Sequence, residues 1–561
     1  MSPAHLESCE TGTISSSSIA TLPEQHSLKH FVVLMTPHLR QFLLPLALSC
    51  SAPVLVAQRA NTPGPVPRDF DAYVARVMRQ FDVPGVAVAV VKDGRVVLAK
   101  GYGVRKLGES TPVDEHTLFG IASNTKAFTA TALGILVEEG KLRWDAPVIN
   151  YLPWFQMYDP FVTREMTIRD LLVHRSGLGL GAGDLMWWPS STYDRKEIAR
   201  RLRYIKPATS FRSAYAYDNV LYSVAGEVIE AVSGQAWEDF ISTRILARVG
   251  MRESNVRHSA AANGGNVATP HAAIDGKVRP IAPFTSDNVN PAGGINASAA
   301  DIAKWLMVQL DSGKLGDGSR LFSPRTTFEL WTIVTPYRVG RLPPELAGLQ
   351  ASFAGYGLGF EMRDYHGRKI VSHTGGLPGY VSRIAMVPDE RLGIAVFTNQ
   401  ESGEAFQALT YRLLDHYLGA PATDWIPVYA RLKTSNDSAN TAQERNAALK
   451  RDTASRPSLP LEKYTGTYRD AWYGDVTIAL EAGKLVMRFS HTPSLTGDLE
   501  HFQYDTFIAR WRDRELRADA YVSFALKPDG TIDQVKMAAV SPATDFSFDF
   551  QDLLLVPQSP P

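Results

Sequence analysis

The sequence predicts an α+β domain, an antiparallel sheet flanked by helices with a mainly helical insertion, followed by a small C-terminal β-barrel. Three observations predict it. Strand hairpins stand at both ends of a long stretch of helical patterns and irregular loops, and segregated strands and helices build α+β layers. One helical run, AFTATALGILVEE (127–139), is apolar nearly all round, so it is a buried helix. Residues 458–556 then switch to short alternating strands separated by turn signals, the pattern of a small closed barrel.

The chain has 561 residues, 45% hydrophobic and 21% charged, enough to bury large cores and to form about two to four domains. Lys+Arg and Asp+Glu are equal at 58 each, so neither a basic nucleic-acid footprint nor an acidic solvating tail is expected. Residues 42–57 (FLLPLALSCSAPVLVA) follow His38 and Arg40 and end on a small residue. A charged start, a short apolar core and a cleavage point after Ala57 read as a signal peptide, too short for a membrane span. Residues 1–57 are therefore expected to be a leader, with Met35 an alternative start, and the protein to be exported, periplasmic or secreted. Cys50 has Ala47 where lipoprotein signals prefer Leu, so a lipid anchor is not expected there. Both cysteines, Cys9 and Cys50, fall within this leader. A mature chain without thiols has no disulfide framework, cysteine nucleophile or thiolate metal site.

Residues 58–68 (QRANTPGPVPR) read as a linker. Val86–Val91 and Arg95–Ala99 flank Lys92-Asp93-Gly94, a hairpin signal. The buried helix from Lys126 to Glu139 closes at Gly140, and residues 141–340 carry the helical insertion. A second hairpin runs Ser382–Val387, Pro388-Asp389-Glu390, Leu392–Phe397. Glu404–Leu418 is an amphipathic helix, which ends an α+β domain spanning 69–420. Residues 421–457 read as a partly helical linker. The barrel, 458–556, has turns at Glu481-Ala482-Gly483 and Pro528-Asp529-Gly530.

Chemistry concentrates in three places. Ser123 and Lys126 are three apart at the start of the buried helix, and i and i+3 share a helix face. A helix N-terminus favours an alkoxide or oxyanion nearby, and a desolvated Lys loses its proton readily enough to act as a base. No other Ser in the chain has a Lys three places later. A solvated Lys beside a Ser N-cap would be the bland account, but a Lys on a wholly apolar helix needs a partner. Tyr217-Asp218-Asn219 is the sole Tyr-x-Asn. A tyrosine near cations can shuttle protons, and the Asn amide can bind a carbonyl. His373-Thr374-Gly375 precedes the Ser382–Val387 strand and offers backbone and a hydroxyl to an extended substrate.

Ser123-x-x-Lys126, Tyr217-x-Asn219 and His373-Thr374-Gly375 resemble the three motifs of class C β-lactamases, DD-peptidases, D-aminopeptidases and related esterases. TIRDLLVHRSGL (167–178), PAGGINASAADIAKW (291–305) and HTGGLPGY (373–380) are similar to that group's connecting segments, and the resemblance covers about residues 70–420. It implies the β-lactamase/transpeptidase-like fold, with Ser123 as acylated nucleophile, Lys126 as its base or proton relay and Tyr217 as the deacylation shuttle. It also implies an oxyanion hole from the backbone N–H groups of Ser123 and Gly376, with Asn219, His373, Thr374 and Gly375 binding substrate. The tail from ~458 is similar to the lipocalin-like barrels that follow this domain in some peptidases.

The third motif begins with His373 where class C β-lactamases carry Lys. At an ordinary pKa about a quarter of such imidazoles are charged at pH 7, so the sequence favours peptides, D-residue peptides included, or esters over β-lactams. A β-lactamase, a carboxylesterase and a sensor that is acylated without turnover are the rival readings. Ser286-Asp287-Asn288 matches a class A triplet but leaves Tyr217 and His373 unexplained. Gly177–Gly183 lacks the Gly-Lys-Ser/Thr of a phosphate loop and reads as a flexible loop. His174 reads as a core histidine. Met186-Trp187-Trp188 fits a pocket rim and ordinary packing equally well. No metal or cofactor is implied; the expected partner is a small-molecule or peptide substrate, with no nucleic acid and no membrane span.

Overall fold

Asp93 (φ 53°) and Gly94 (φ 74°) both adopt left-handed backbone, the conformation that matches a two-residue turn to the twist of its strands. They join β1 (Gly85–Lys92) to β2 (Arg95–Gly103). The structure, a computed structural model, describes residues 65–558. Residues 42–57, read above as a signal peptide, and both cysteines lie outside the described residues.

The remaining strands of this sheet return after the insertion: β3 (Thr335–Pro336), β4 (Ala354–Tyr356), β5 (Glu361–Tyr365), β6 (Arg368–Leu377), β7 (Tyr380–Val387) and β8 (Leu392–Thr398). Their order is β2-β1-β8-β7-β6-β5-β4-β3, antiparallel throughout. Sequence-distant β1 and β8 thus lie side by side, Ala89 opposite Ala395. β1 is buried on both faces. Val86, Val88 and Val90 meet α1 (Phe70–Gln80) and α5 (Gly403–Leu418), while Ala87, Ala89 and Val91 face the helical insertion. Two-sided burial explains why β1 reads as a continuous apolar run and does not alternate.

Within the insertion, α2 (Lys126–Glu138) is buried from Lys126 through Leu136. Its Phe128 stacks on Trp305 of α4 (Ala299–Leu310), with ring centroids 3.9 Å apart. α3 (Val220–Ser233) ends at Gly234 (φ 72°), the left-handed C-terminal stop. After the sheet, α6 (Trp425–Leu449) buries Trp425, Ile426, Val428 and Tyr429 and leaves most of its remaining turns in solvent.

The C-terminal strands are β9 (Gly466–Asp470), β10 (Gly474–Glu481), β11 (Lys484–Phe489), β12 (Thr496–Gln503), β13 (Thr506–Trp511), β14 (Ala520–Leu526), β15 (Ile532–Ala539) and β16 (Val556–Pro557). They run antiparallel as β15-β14-β13-β12-β11-β10-β9-β16. Val535 of β15 and Leu555, just before β16, exchange backbone bonds of 2.8 and 3.1 Å. This nearly closes the barrel and removes most exposed sheet edge. Buried apolar residues run without a break from this barrel into the insertion.

Candidate active site

Ser123 lies in a 3₁₀ turn, Ala122–Thr125, that runs directly into α2. Ala122, just before it, takes φ 49°, a conformation a residue with a Cβ holds only when its surroundings enforce it. Ser382 of β7 and Asn124 do so. The Ser382 hydroxyl donates to the Ile121 carbonyl (2.8 Å) and accepts from the Asn124 amide (2.8 Å). Gly375 of β6 presses on the same turn: a Cβ there would sit 2.3 Å from the Ile121 carbonyl oxygen. Only glycine lets the motif strand pass this close to the Ser123 turn.

Lys126 is fully buried. Its ammonium donates to Ser123 Oγ (3.0 Å), Asn219 Oδ1 (2.7 Å) and the Ala292 carbonyl (3.1 Å), which accounts for all three of its protons. The faces of Tyr217 and Tyr222 lie 4.8 and 5.1 Å from the nitrogen. Burial pushes this amine down to about 7, against the pull of Asp184 and Asp218. A depression of that size is about 5 kcal/mol of disfavoured charge. Burial likewise raises Asp184 and Asp218 to about 7 each, so the three groups titrate as one network.

The Tyr217 hydroxyl interacts with Ser123, which moderates a pKa that burial raises well above the ordinary phenol value. His174 packs against the Tyr217 ring, with centroids 4.2 Å apart and the planes tilted by 35°. It is completely buried, takes φ 55°, and accepts the Asp218 N–H at Nδ1 (3.2 Å). This core histidine therefore forms the floor beneath the tyrosine. Burial holds it well below its usual pKa, so it stays neutral.

His373 departs from the sequence-based picture of a partly charged imidazole. Nδ1 lies 2.5 Å from the Thr374 carbonyl and Nε2 2.7 Å from the Tyr356 hydroxyl. A carbonyl only accepts, so Nδ1 carries the proton and Nε2 accepts from Tyr356. Burial, first, and the Lys126 charge push the ring down to about 3. With both nitrogens engaged, His373 is a neutral, buried support and not a cation awaiting a carboxylate. The open positions of this motif are Thr374, half-buried, and Gly376, exposed with no atom within 4 Å of an added Cβ.

The Ser286 triplet turns elsewhere. Ser286 donates to Asn288 (2.9 Å), and Asn288 donates to Ser191 and the Tyr193 carbonyl. Nor is Gly177–Gly183 a flexible surface loop: most of it is buried, with Gly177, Gly181 and Gly183 at φ 94°, 69° and 84°. It delivers Asp184, which sequence reasoning missed. Asp184 accepts from Asn219 Nδ2 (2.8 Å) and Trp187 Nε1 (2.8 Å). Met186, Trp187 and Trp188 are all buried, so packing accounts for them. Three more residues come from the barrel. Ser547 donates to Asp184 (2.8 Å), Asp549 accepts from the Gly183 and Leu185 N–H groups (2.6 and 3.1 Å), and Phe546 stands edge-on to Tyr217.

A family model described as Beta-lactamase matches residues 70–418, and one described as a domain of unknown function (DUF3471) matches 450–557. The chain is 29% identical over 500 residues to the Unguisins hydrolase ungD of Aspergillus violaceofuscus, covering 84% of this chain and 87% of that protein. Its fold is similar to the octameric penicillin-binding protein homologue from Pyrococcus abyssi (TM-score 0.53, 22% identity, covering 87% of this chain and 99% of that one). It is also similar to a class C β-lactamase from Rhodobacter sphaeroides (TM-score 0.50, 23% identity, covering 63% and 100%).

Proposed function

The chain belongs to the Beta-lactamase family of serine hydrolases, and on that footing we propose that it forms an acyl-enzyme on Ser123 and hydrolyses amide bonds of peptides or esters. One observation carries this reading: a desolvated Lys126 within 3.0 Å of Ser123 Oγ, held near neutrality by burial. An amine that is half deprotonated near pH 7 can take the serine proton as the serine oxygen attacks.

In this reading the neutral Lys126 amine accepts the Ser123 proton while Oγ bonds to the substrate carbonyl carbon. The oxyanion meets the N–H groups of Ser123, at the entry to α2, and of Gly376, on β6. Tyr217, whose hydroxyl interacts with Ser123 and whose ring lies under the Lys126 nitrogen, relays the proton to the leaving amine or alkoxide, and the C–N or C–O bond breaks. Water then attacks the ester, with Tyr217 and Lys126 returning the proton to Ser123. The tyrosine's raised pKa suits a relay that works beside the lysine and not a standing phenolate. Asn219 gives one Nδ2 proton to Asp184 and its Oδ1 to Lys126, so it holds the base and keeps its second N–H for a substrate carbonyl. Thr374 and the Gly375-Gly376 backbone align the substrate. A neutral, fully engaged His373 supports the preference for peptides and esters over carboxylate-bearing β-lactams, and a relative named as a hydrolase supports turnover over arrested acylation.

Intact-mass spectrometry of the protein with D-peptides, short-chain esters and β-lactams tests this. A transient adduct on Ser123 with product release is expected from a peptide or ester, and none from Ser123→Ala. A stoichiometric, persistent adduct would make the protein a sensor, and faster turnover of a β-lactam than of any other class would make it a β-lactamase. Export is the accompanying proposal: N-terminal sequencing of secreted or periplasmic protein should begin near Gln58, and a cytosolic chain retaining its leader would overturn it.

A further inference from the structure

After β15 the chain does not close the barrel directly. Residues 540–549 first reach into the catalytic domain, where Ser547 and Asp549 make buried polar contacts and Phe546 an aromatic one. Asp549 caps the backbone of the glycine-rich loop through the Gly183 and Leu185 N–H groups. Ser547, itself 4% exposed, donates across 363 residues of sequence to Asp184 Oδ2, the same oxygen that Asn219 Nδ2 bonds. Gly181 completes the seam: a Cβ there would lie 2.8 Å from the Phe546 ring, and its N–H donates to the Tyr217 carbonyl (2.9 Å).

From this geometry we infer that Ser547 of the C-terminal domain is a positioning residue for the nucleophile's base: it fixes Asp184, Asp184 orients the Asn219 amide, and Asn219 holds Lys126. The inference rests on the acyl-enzyme reading above. Its physical content lies in the asymmetry of an amide. Asn219 must present oxygen to the ammonium and nitrogen to an acceptor, and a buried carboxylate at Asp184 is what makes the reverse orientation unfavourable. That carboxylate has three donors, Asn219, Trp187 and Ser547, and two come from within the catalytic domain. The third comes only when the barrel is seated. Lys126 and Asp549 act on Asp184 electrostatically with opposite signs, so a donor that keeps Asp184 ionised also keeps a counter-charge beside Lys126. The barrel is on this account part of the catalytic apparatus.

Ser547→Val and Ser547→Thr in the full chain test it, since the two side chains match in volume and differ in the hydroxyl. Acylation of Ser123 by a neutral ester is followed by intact mass, with kcat, KM and Tm measured between pH 5.5 and 9. We expect Ser547→Val to lower kcat about tenfold, the scale of one lost charge-assisted hydrogen bond. KM should hold, and the acid limb of the profile should move to lower pH as Lys126 loses its counter-charge. Ser547→Thr should restore both. Should Ser547→Val lower Tm, activity per folded molecule at a temperature below its transition is the deciding value. A Val variant that acylates at the native rate with the native pH profile overturns the inference, and so does a Thr variant as impaired as Val. A native protein that forms no Ser123 adduct refutes the acyl-enzyme reading instead.

Discussion

Moving the native enzyme from pH 8 to pH 6 protonates the coupled network of Lys126, Asp184 and Asp218, and the Lys126 amine is the member that touches Ser123. Burial pushes it down to about 7 while Asp184 and Asp218 pull it upward. If its neutral form accepts the Ser123 proton, the competent fraction is about nine in ten at pH 8 and about one in ten at pH 6. Acylation by a neutral ester, measured as kcat/KM or as single-turnover adduct formation, should therefore fall across those two units by up to about tenfold, and by less as protonation of Asp184 and Asp218 weakens their hold on the Lys126 proton. His373, pushed down to about 3, does not titrate in that window. Asp218→Asn provides the internal control: it removes a buried anion that raises Lys126, so the limb should shift to lower pH. A profile flat from pH 6 to 9, or one whose limb sits near pH 10 as for an exposed lysine, would refute the assignment of Lys126 as a desolvated base.

Stability should follow the same group with a definite sign. The unfolded lysine keeps its proton up to its ordinary value while the native one sheds it near pH 7, so the buried-charge cost is largest below pH 7 and fades as pH rises toward 10. Lys126→Met should accordingly change Tm more favourably at pH 6 than at pH 9, read by calorimetry. Gly375→Ala places a Cβ 2.3 Å from the Ile121 oxygen and 2.6 Å from Ser382 Oγ. That overpacking should cost about 1–3 kcal/mol in denaturant unfolding and push the motif strand off Ser123, lowering activity further than the stability loss explains. Finally, a substrate with a free carboxylate should gain nothing over a neutral ester as pH drops from 7.5 to 6, because His373 is already neutral and hydrogen-bonded at both nitrogens; a selective gain would show a charged imidazole.

The hairpin at Asp93-Gly94, the apolar helix from Lys126 and the turns at Ala482-Gly483 and Gly530 were legible because each depends on residues a few positions apart. Positive φ, helical spacing and alternation are local properties. Ser123 and Lys126 belong to this class, since one turn of helix is enough to bring them together. Tyr217, Asn219 and the His373 strand were legible only as a set, by resemblance, because nothing in their spacing says that they converge.

What remained hidden was decided by neighbours distant in sequence. The protonation of His373 follows from Tyr356 and burial, not from its own motif. Asp184 carries no sequence signal; it follows the glycine loop, which is mostly buried, and its carboxylate bonds to Asn219. Ser547 and Asp549 carry no motif, and their roles exist only where the barrel's last connection meets residues some 360 positions earlier. By itself the sequence determined the elements, the pairing of Ser123 with Lys126 on one helical turn and the residue types at the site, because these rest on short-range periodicity and chemistry. Only the tertiary structure decided which charges face Lys126 and which domain holds them, because electrostatics and burial depend on distance in space and not along the chain.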